Sequence, residues 1–206
     1  MYIPKYFKVT DFNEITEFVS ENSFGTIVTT NNGKPIATHI PLEFSKEGED
    51  YFITGHMAYG NPQWRTFDTC EEALVIYQGP HAYISSSWYE HENVSTWNYQ
   101  AVHVYGKATR MEADKLKQDL SKLQEKYEKH RKNAILWENL SPEFLENQLK
   151  GVVGFKIKVR EIQAAYKLSQ NRNEEDYLNI IDELQKEENI NSKRMAEIMK
   201  KRVNDK

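Results

Sequence analysis

Hairpin-forming segments fill the first half of the sequence and restrict the folds that are open to the chain. Residues 23–30 (SFGTIVTT) and 35–44 (PIATHIPLEF) flank the turn sequence Asn31-Asn32-Gly33-Lys34, which predicts an antiparallel strand pair. Further strands are predicted at 51–57, 73–79 and 97–110. A last strand, GVVGFKIKVREIQAAYK at 151–167, follows a segment of helical periodicity. This succession predicts a mainly β (α+β) fold, an antiparallel barrel with peripheral helices.

Helical signals occur between the last two strands and after them. Apolar residues recur at helical spacing, and they are Leu116, Leu120, Leu123 and Tyr127. Ser141 followed by Pro142 predicts the start of a second helix. The polar tail predicts two helices separated near residues 189–191. We therefore expect a barrel domain at 1–172, with a helical insertion at about 111–150, and a helical C-terminal extension at 173–206.

The composition excludes several classes of protein. The chain carries 27 basic and 31 acidic residues, a net charge of -4, so no global field attracts it to nucleic acid or to an anionic membrane. A single cysteine, Cys70, excludes an internal disulfide framework, and we favour a buried thiol over a nucleophile for it. The sequence has no apolar signal core and no membrane-spanning run. We expect a cytoplasmic protein with no membrane partner.

Large aromatic residues are concentrated between Tyr77 and Gly106. Tyr83, Trp88, Tyr89, Trp97 and Tyr99 are interleaved there with histidines and amides. Flat side chains alternating with hydrogen-bonding ones suit a planar heteroaromatic ligand with polar edges. The alternative is an aromatic hairpin that packs against its own sheet, and on this stretch alone we favour that alternative.

The segment ATHIPL contains a first pair of candidate residues, Thr38 and His39. Pro41 follows within the same predicted strand and cannot donate a ladder hydrogen bond, so the strand is predicted to be an edge there or to break there. Either arrangement exposes backbone groups to a ligand ring. The alternative is that His39 is a satisfied core or rim histidine.

The segment TGHMAYGNPQW contains a second group of candidates, Gly55, His56, Asn61 and Gln63. Small residues let the backbone approach a ligand, and the side chains supply donors for an anionic phosphate. The spacing matches neither a P-loop nor a dinucleotide fingerprint. The alternative is an ordinary turn into a short helix that begins near Pro62.

The segment YKLSQNRNEEDY contains the third group, Lys167, Gln170 and Asn171, at the predicted end of the last strand. A cation and two amides at a strand end can bind a phosphate. Asn173 is predicted to cap the next helix. The alternative is a polar connector between strand and helix.

Six segments in order resemble the PaiB family of FMN-binding negative transcriptional regulators, namely MYIPKYF, ATHIPL, GHMAYGNPQW, GPHAYISSSWY, STWNYQAVHVYG and KLSQNR. The resemblance covers essentially the whole chain. It implies a Greek-key split barrel of the FMN-binding type, shared with pyridoxamine-phosphate-oxidase-like flavoproteins, and a homodimer with flavin at the subunit interface. Where that family often has Val-Pro-Thr-Trp-Asn-Tyr, this chain has Ser95 in place of the proline.

The resemblance turns the candidate residues into a hypothesis about FMN. We expect the His39 strand and the strand of Trp97 and Asn98 to hold the edges of the isoalloxazine ring. We expect His56, Asn61 and Gln63 to contact the phosphate and ribityl chain, and Lys167 to add a positive charge. Thr38, Gly55, Gln170 and Asn171 complete the predicted site.

Two functional classes remain open at this point. One is a flavin-binding regulator with DNA or a regulatory protein as partner, and the other is a flavin-dependent oxidoreductase of the split-barrel class. No helix-turn-helix stands out, and we interpret the mixed-charge tail as a solvated helix. His81, His91 and His103 are too irregularly spaced to predict a zinc site, and haem binding through one of them is a minor alternative.

Overall fold

The computed structural model of the protein describes residues 1–204 and places seven strands and five α-helices in that part of the chain. The strands are β1 Lys8–Val9, β2 Phe24–Asn31, β3 Lys34–Glu47, β4 Asp50–Ala58, β5 Ala73–Ile84, β6 Thr96–Arg110 and β7 Val152–Lys167. The helices are α1 Phe12–Glu21, α2 Ala113–Glu128, α3 Pro142–Leu149, α4 Glu174–Lys186 and α5 Ile190–Asn204. None of these helices has the length and apolar character needed to cross a membrane.

The strands form one sheet in the order β1-β7-β4-β3-β2-β5-β6, and β6 pairs in addition with β7. The second pairing of β7 closes the six strands from β2 to β7 into a ring, and β1 is attached to β7. The pairs β1–β7, β2–β3, β2–β5, β3–β4 and β4–β7 are all antiparallel. The antiparallel barrel predicted from the hairpins is confirmed.

Strand β3 changes its partner at Pro41. Its residues from Lys34 to Pro41 pair with β2, and those from Leu42 to Glu47 pair with β4. The strand itself continues through the proline. A residue without an N–H fits a position where one ladder ends before the next begins. Of the two predicted outcomes at Pro41, the edge is therefore observed and the break is not.

The helix starts predicted at Ser141 and Asn173 are present with their caps, and α1 is capped in the same way by Asp11. The Asp11 carboxylate accepts hydrogen bonds from the backbone at the start of α1, and Ser141 Oγ accepts one from Phe144 N at 3.3 Å. Asn173 Oδ1 accepts one from Asp176 N at 2.7 Å. Helices α2 and α3 lie between β6 and β7, where the sequence predicts a helical insertion.

Contacts divide the chain into two compact units. The first unit contains residues 1–22, 77–103 and the chain from Gln163 onward, and the second contains residues 23–76 and 104–162. Strands β5, β6 and β7 contribute residues to both. The division into 1–172 and 173–206 stays a prediction, and its last two residues, Asp205 and Lys206, lie outside the described residues.

In the first unit, α4 and α5 form an antiparallel hairpin. The Tyr177 hydroxyl in the first turns of α4 donates to the carbonyl oxygen of Met199 near the end of α5, at 3.1 Å. Ile180 and Leu184 of α4 and Met195 and Met199 of α5 are fully buried. One face of the predicted tail is therefore part of a core, while Lys193, Lys200 and Lys201 lie in solvent on α5.

The second unit has a core of strand residues, and α2 covers part of β7. Ile53, Phe155 and Ile157 are fully buried. At Gly154, an added Cβ would lie 2.7 Å from Leu116 Cδ1 of α2, so the helix packs directly on the strand. At Gly106, an added Cβ would lie only 2.1 Å from the carbonyl oxygen of Lys158, so two strands approach more closely than any side chain allows.

Candidate functional site

Three rings form an exposed surface where β5 ends and β6 begins, in the first unit. The Trp97 ring centroid lies 6.1 Å from that of His81 and 5.8 Å from that of Tyr83. Trp97 remains 53% exposed and Tyr83 47% exposed, whereas Ala82 and Ile84 point into the core. We call His81, Tyr83 and Trp97 the ring surface. Exposed aromatic area of this kind can be covered by a flat ligand.

The first unit also contains two cations that lie close enough to affect each other, and we call Lys167 and Arg172 the cation pair. Lys167 Nζ donates a hydrogen bond to the hydroxyl of Thr96, the residue that precedes Trp97. Burial lowers the pKa of the Lys167 ammonium, and the charge of Arg172 lowers it further. The Arg172 guanidinium lies 4.9 Å from the centre of the Tyr89 ring. Neither cation forms an ion pair within residues 1–204, so the pair can attract an anion such as a phosphate.

Asn98 is fully buried and has its partners inside the first unit. Its Nδ2 donates to Ser169 Oγ at 2.9 Å and lies 3.5 Å from Met199 Sδ, and its Oδ1 accepts from Ser169 Oγ at 3.2 Å. The amide therefore joins β6 to the turn after β7 and to α5. A contact between Asn98 and FMN stays a prediction.

Gln170 also uses its amide to hold the turn after β7. Its Oε1 accepts from Leu168 N at 2.7 Å, and its Nε2 donates to the carbonyl oxygens of Tyr6 at 3.0 Å and Tyr166 at 2.6 Å. The neighbouring Asn171 is exposed. The structure thus gives Gln170 a structural role, and ligand contacts by Gln170 and Asn171 stay predictions.

The second unit brings three predicted residues, Thr38, Asn61 and Gln63, into one hydrogen-bond network. Asn61 Nδ2 donates to Thr38 Oγ1 at 2.9 Å, and Thr38 Oγ1 donates to Gln63 Oε1 at 2.5 Å. Gln63 is fully buried, and its Nε2 donates to the carbonyl oxygens of Ile27 and Ile36 at 3.1 Å each. Gln63 therefore ties the loop to β2 and β3.

Asn61 has a second role at the start of the short 3-10 helix Pro62–Asp68. Its Oδ1 accepts a hydrogen bond from Gln63 N at 3.0 Å, so its side chain caps the turn. The alternative interpretation of this segment, an ordinary turn into a short helix near Pro62, is therefore what the structure has. Phosphate binding by Asn61 stays a prediction.

His39 lies on the side of the β2–β3 pair that faces away from the core. Its Nδ1 is 2.8 Å from Thr26 Oγ1, its partner in the register. Phe24 and Ala37 lie on the same side, where Phe24 is 68% exposed, whereas Ile27 on the opposite side is fully buried. We call Phe24, Thr26, Val28, Ala37 and His39 the outer face of the β2–β3 pair. It is an uncovered and largely apolar surface.

Gly55 and His56 lie on β4 in the second unit, close to helix α2. An added Cβ at Gly55 would lie 2.8 Å from Phe155 Cζ, so this glycine permits tight packing within the protein. Burial lowers the pKa of His56. The imidazole borders a cavity of about 20 Å³ that Leu120 and Leu123 of α2 also line. The predicted contact of His56 with phosphate stays a prediction.

The residues of the first unit fit two of the three parts of FMN. The ring surface offers aromatic area for the flat isoalloxazine, and the cation pair offers charge for the dianionic phosphate. Lys167 donates a hydrogen bond to Thr96, whose side chain lies on the opposite face of β6 from that of the next residue, Trp97. The flat ring and the phosphate therefore have candidate partners within one compact unit.

Several residues that the structure places at or beside the candidate residues are not among the sequence-predicted site residues, and they are Thr26, His81, Thr96 and Arg172; Tyr83 is predicted only as part of the aromatic stretch. Arg172 is a second cation five positions after Lys167, and this spacing was available in the sequence. His81 and Tyr83 alternate at the period of a strand, which places both side chains on one side. The hydrogen bond between Lys167 and Thr96 joins residues 71 positions apart and has no local signal.

Comparison with known proteins identifies relatives along the whole chain. The family described as "Putative FMN-binding domain" matches residues 1–161. The Bacillus subtilis protein named Protease synthase and sporulation protein PAI 2 is 68% identical over 203 residues, which cover 98% of each chain. An uncharacterized protein of Saccharomyces cerevisiae is 30% identical over 138 residues, which cover 56% of this chain and 82% of the yeast protein.

Solved structures share the fold at low sequence identity. The flavocytochrome Anf3 from Azotobacter vinelandii aligns with a TM-score of 0.62 at 16% identity, over 86% of this chain and 78% of its own. The FAD and heme binding protein from Mycobacterium smegmatis aligns with a TM-score of 0.55 at 15% identity, over 78% and 73% of the two chains. These similarities concern the fold alone, and they confirm the predicted split barrel.

Proposed function

Because the chain belongs to the PaiB family of proteins with an FMN-binding domain, we propose that it is a homodimeric, FMN-dependent negative regulator of transcription. The observation that carries this proposal is the 68% identity to the Bacillus subtilis protein over 98% of both chains. That protein is named for protease synthase and sporulation. Regulation, rather than a reaction on a substrate, is the function that the family resemblance implies.

FMN is the cofactor of this domain, and the chemistry of the residues in the first unit supports a proposal for how it is held. The ring surface covers the isoalloxazine, and the cation pair holds the phosphate. Bound FMN supplies a group that can accept and return a hydride or single electrons. The side chains bind and orient the cofactor. Burial also lowers the pKa of Lys167, so its charge interacts with the phosphate in surroundings of lower dielectric than bulk water.

A comparison of FMN with riboflavin tests the phosphate assignment, since riboflavin lacks the phosphate. We expect Lys167→Ala to weaken FMN binding by at least about tenfold, the effect of losing one charge-assisted contact, and to leave riboflavin binding unchanged. Asn61→Ala is tested in the same way, because its phosphate contact is also a prediction. Lys200→Ala removes an exposed lysine of α5 and serves as the control.

Equal losses for FMN and riboflavin would place the altered residue at the flavin ring or in folding. No loss for either ligand would remove that residue from the site.

The outer face of the β2–β3 pair supports the proposed homodimer. Phe24 is 68% exposed on this face, and Val28 and Ala37 extend the apolar surface beside it. Contiguous apolar surface of this kind is characteristic of protein interfaces. Leu74 and Ile76 of β5 pair with Val28 and Thr26 and continue the surface.

Sedimentation of the protein at micromolar concentration, with and without FMN, tests the dimer. We expect a dimer for the natural sequence and a monomer for Phe24→Asp, because the substitution buries a charge in the apolar contact. Phe144→Asp is the matched control, since Phe144 is an aromatic residue on α3 that is 48% exposed. A monomer for the natural sequence in both conditions would contradict the proposal.

The regulatory function is tested in cells that carry the gene. Transcripts are compared between the natural strain, a deletion strain and a strain with Lys167→Ala. We expect the deletion and the variant to raise the same set of transcripts. Unchanged transcripts in the deletion strain would exclude regulation, and full repression by a variant that binds no FMN would exclude a role of FMN. Rapid bleaching of bound FMN by NADH or NADPH would instead favour the oxidoreductase.

A further inference from the structure

A cleft of about 520 Å³ lies between helices α1 and α5 in the first unit. None of its lining residues belongs to the ring surface or to the cation pair. Its volume is within the range of about 300–1,000 Å³ that is typical of small-molecule sites.

The α1 wall is acidic and the α5 wall is mainly basic. Glu14, Glu17 and Glu21 are spaced by three and four residues, so they share one face of α1. Arg202 of α5 forms an ion pair with Glu14 at 2.6 Å. That contact joins the two walls.

Further along the cleft, the two walls carry side chains of opposite charge that are not paired with each other. Glu17 and Glu21 on one wall, and Arg194 and Lys201 on the other, line the cleft and form no ion pair within residues 1–204. Charged groups on two walls of a cleft can hold a ligand that carries both signs of charge.

The floor of the cleft is aromatic and contains an unused hydroxyl. The rings of Phe18 and Tyr166 are both buried, with centroids 5.2 Å apart. Tyr166 is 1% exposed, and its hydroxyl has no hydrogen-bond partner among residues 1–204. Burial raises the pKa of Tyr166, and Glu14 raises it further. Tyr166 lines the cleft, and the guanidinium of Arg202, another lining residue, lies 5.8 Å from the centre of its ring.

The balance of charge narrows the class of ligand. Glu197 lies on α5 between Arg194 and Lys201, so the lining carries four carboxylates and three cations. A polyanion such as a nucleotide would meet repulsion from this set. A molecule with no net charge, one ammonium and one carboxylate matches it.

We propose that this cleft binds a free α-amino acid with an apolar side chain. Arg194 and Lys201 hold its carboxylate, Glu17 and Glu21 hold its ammonium, and its side chain lies on Phe18 and Tyr166. The Tyr166 hydroxyl, which has no partner among residues 1–204, donates a hydrogen bond to the same carboxylate of the ligand. The site is separate from the proposed FMN site, and it provides a place where the protein can sense a metabolite.

Calorimetric titration of the FMN-loaded, full-length protein with L-leucine, L-phenylalanine and L-tryptophan tests this proposal. We expect at least one of them to bind. For L-phenylalanine, matched analogues separate the two charges, because phenethylamine lacks the carboxylate and 3-phenylpropionate lacks the ammonium. We expect each analogue to bind at least about tenfold more weakly than the parent amino acid, the loss expected for one charge-assisted contact. Binding by none of the three amino acids would overturn the proposal, and so would equal binding of an analogue and its parent.

Variants assign the contacts to residues. We expect Arg194→Gln and Glu17→Gln each to weaken binding of the amino acid by at least about tenfold. Lys193→Gln, which removes a neighbouring exposed cation outside the cleft, should leave it unchanged. Equal losses for Arg194→Gln and Lys193→Gln would show a diffuse charge effect and contradict the assignment.

A third variant separates binding from folding. Tyr166→Phe removes the unpaired hydroxyl, so we expect weaker amino-acid binding together with an unchanged or higher unfolding temperature. Unchanged amino-acid binding would exclude the hydroxyl from the site. Flavin fluorescence measures FMN binding in the same samples. Normal FMN binding by the Arg194→Gln variant would show that loss of this site is independent of the FMN site.

Discussion

The substitution Trp97→Ala tests whether the ring surface holds the flavin. Trp97 remains 53% exposed in the protein, so part of its ring is free to be covered by a ligand. Its neighbours His81 and Tyr83 lie 6.1 and 5.8 Å away between ring centroids. They limit how far a bound flavin can move when the indole is removed.

The size of the effect follows from the area that a stacked flavin would cover. A tryptophan side chain buries up to about 250 Å², so covering the exposed part removes on the order of 100 Å² from water, about 2.5 kcal/mol at about 25 cal/mol per Å². Stacking adds about 1 kcal/mol. The total of about 3.5 kcal/mol corresponds to roughly a 300-fold rise in Kd. Because His81 and Tyr83 remain, we expect a rise of at least about tenfold.

The quenching of flavin fluorescence on binding measures this Kd directly. Phe144→Ala is the matched control, since Phe144 has a similar exposed fraction of 48% and lies on α3 in the second unit. The circular dichroism spectrum of each variant shows whether it folds. An unchanged Kd in a folded Trp97→Ala protein would remove Trp97 from the site and refute the assignment of the ring surface to the isoalloxazine.

Three further predictions concern folding and pH. Gly106→Ala should lower the free energy of unfolding in urea by about 3 kcal/mol, because its Cβ would lie 2.1 Å from the Lys158 carbonyl oxygen. The control Gly60→Ala should change this free energy by less than about 0.5 kcal/mol, because a Cβ added at Gly60 would have no atom within 4 Å. Gln63→Leu should lower the free energy of unfolding by about 2–4 kcal/mol in the same assay, since the carbonyl oxygens of Ile27 and Ile36 lose a buried donor. A decrease near zero would show that water replaces the amide. Burial lowers the pKa of His56 and of His103 from 6.5, so below that pH the unfolded chain binds protons that the folded chain does not. The free energy of unfolding should therefore fall on acidification and recover as the pH rises towards 7. A double His→Gln variant that keeps the full pH dependence would contradict this cause.

Much of the fold could be predicted because its signals are local. The turn around Gly33, the caps at Asp11, Ser141 and Asn173, and the alternation in β7 each depend on residues within a few positions of one another. Steric preferences and short-range hydrogen bonds decide such features before any distant segment is present. The site stretches were also recognisable, because aromatic residues and donors are concentrated in them.

The roles of individual side chains within those stretches depend on segments far along the chain. Asn98 and Gln63 have amide side chains of the kind that often contact ligands, yet both amides are buried in the protein. Asn98 donates to Ser169 in the first unit, and Gln63 donates to the carbonyl oxygens of Ile27 and Ile36 in the second. Arg172 lies beside Lys167 as a second unpaired cation. Whether an amide side chain faces a ligand or a backbone group therefore depends on the distant segments that pack around it.

The sequence by itself therefore determines the order and kind of the elements, the barrel they form and the family to which the chain belongs. The tertiary structure alone decides that β3 changes partner at Pro41, that α5 buries its methionines, and that opposite charges on α1 and α5 line one cleft. The physical reason is the range of the interactions. Periodicity and capping act over one or two turns, whereas pairing, burial and the meeting of charges depend on other segments of the chain, up to the 188 positions between Glu14 and Arg202, that come together only when the core forms.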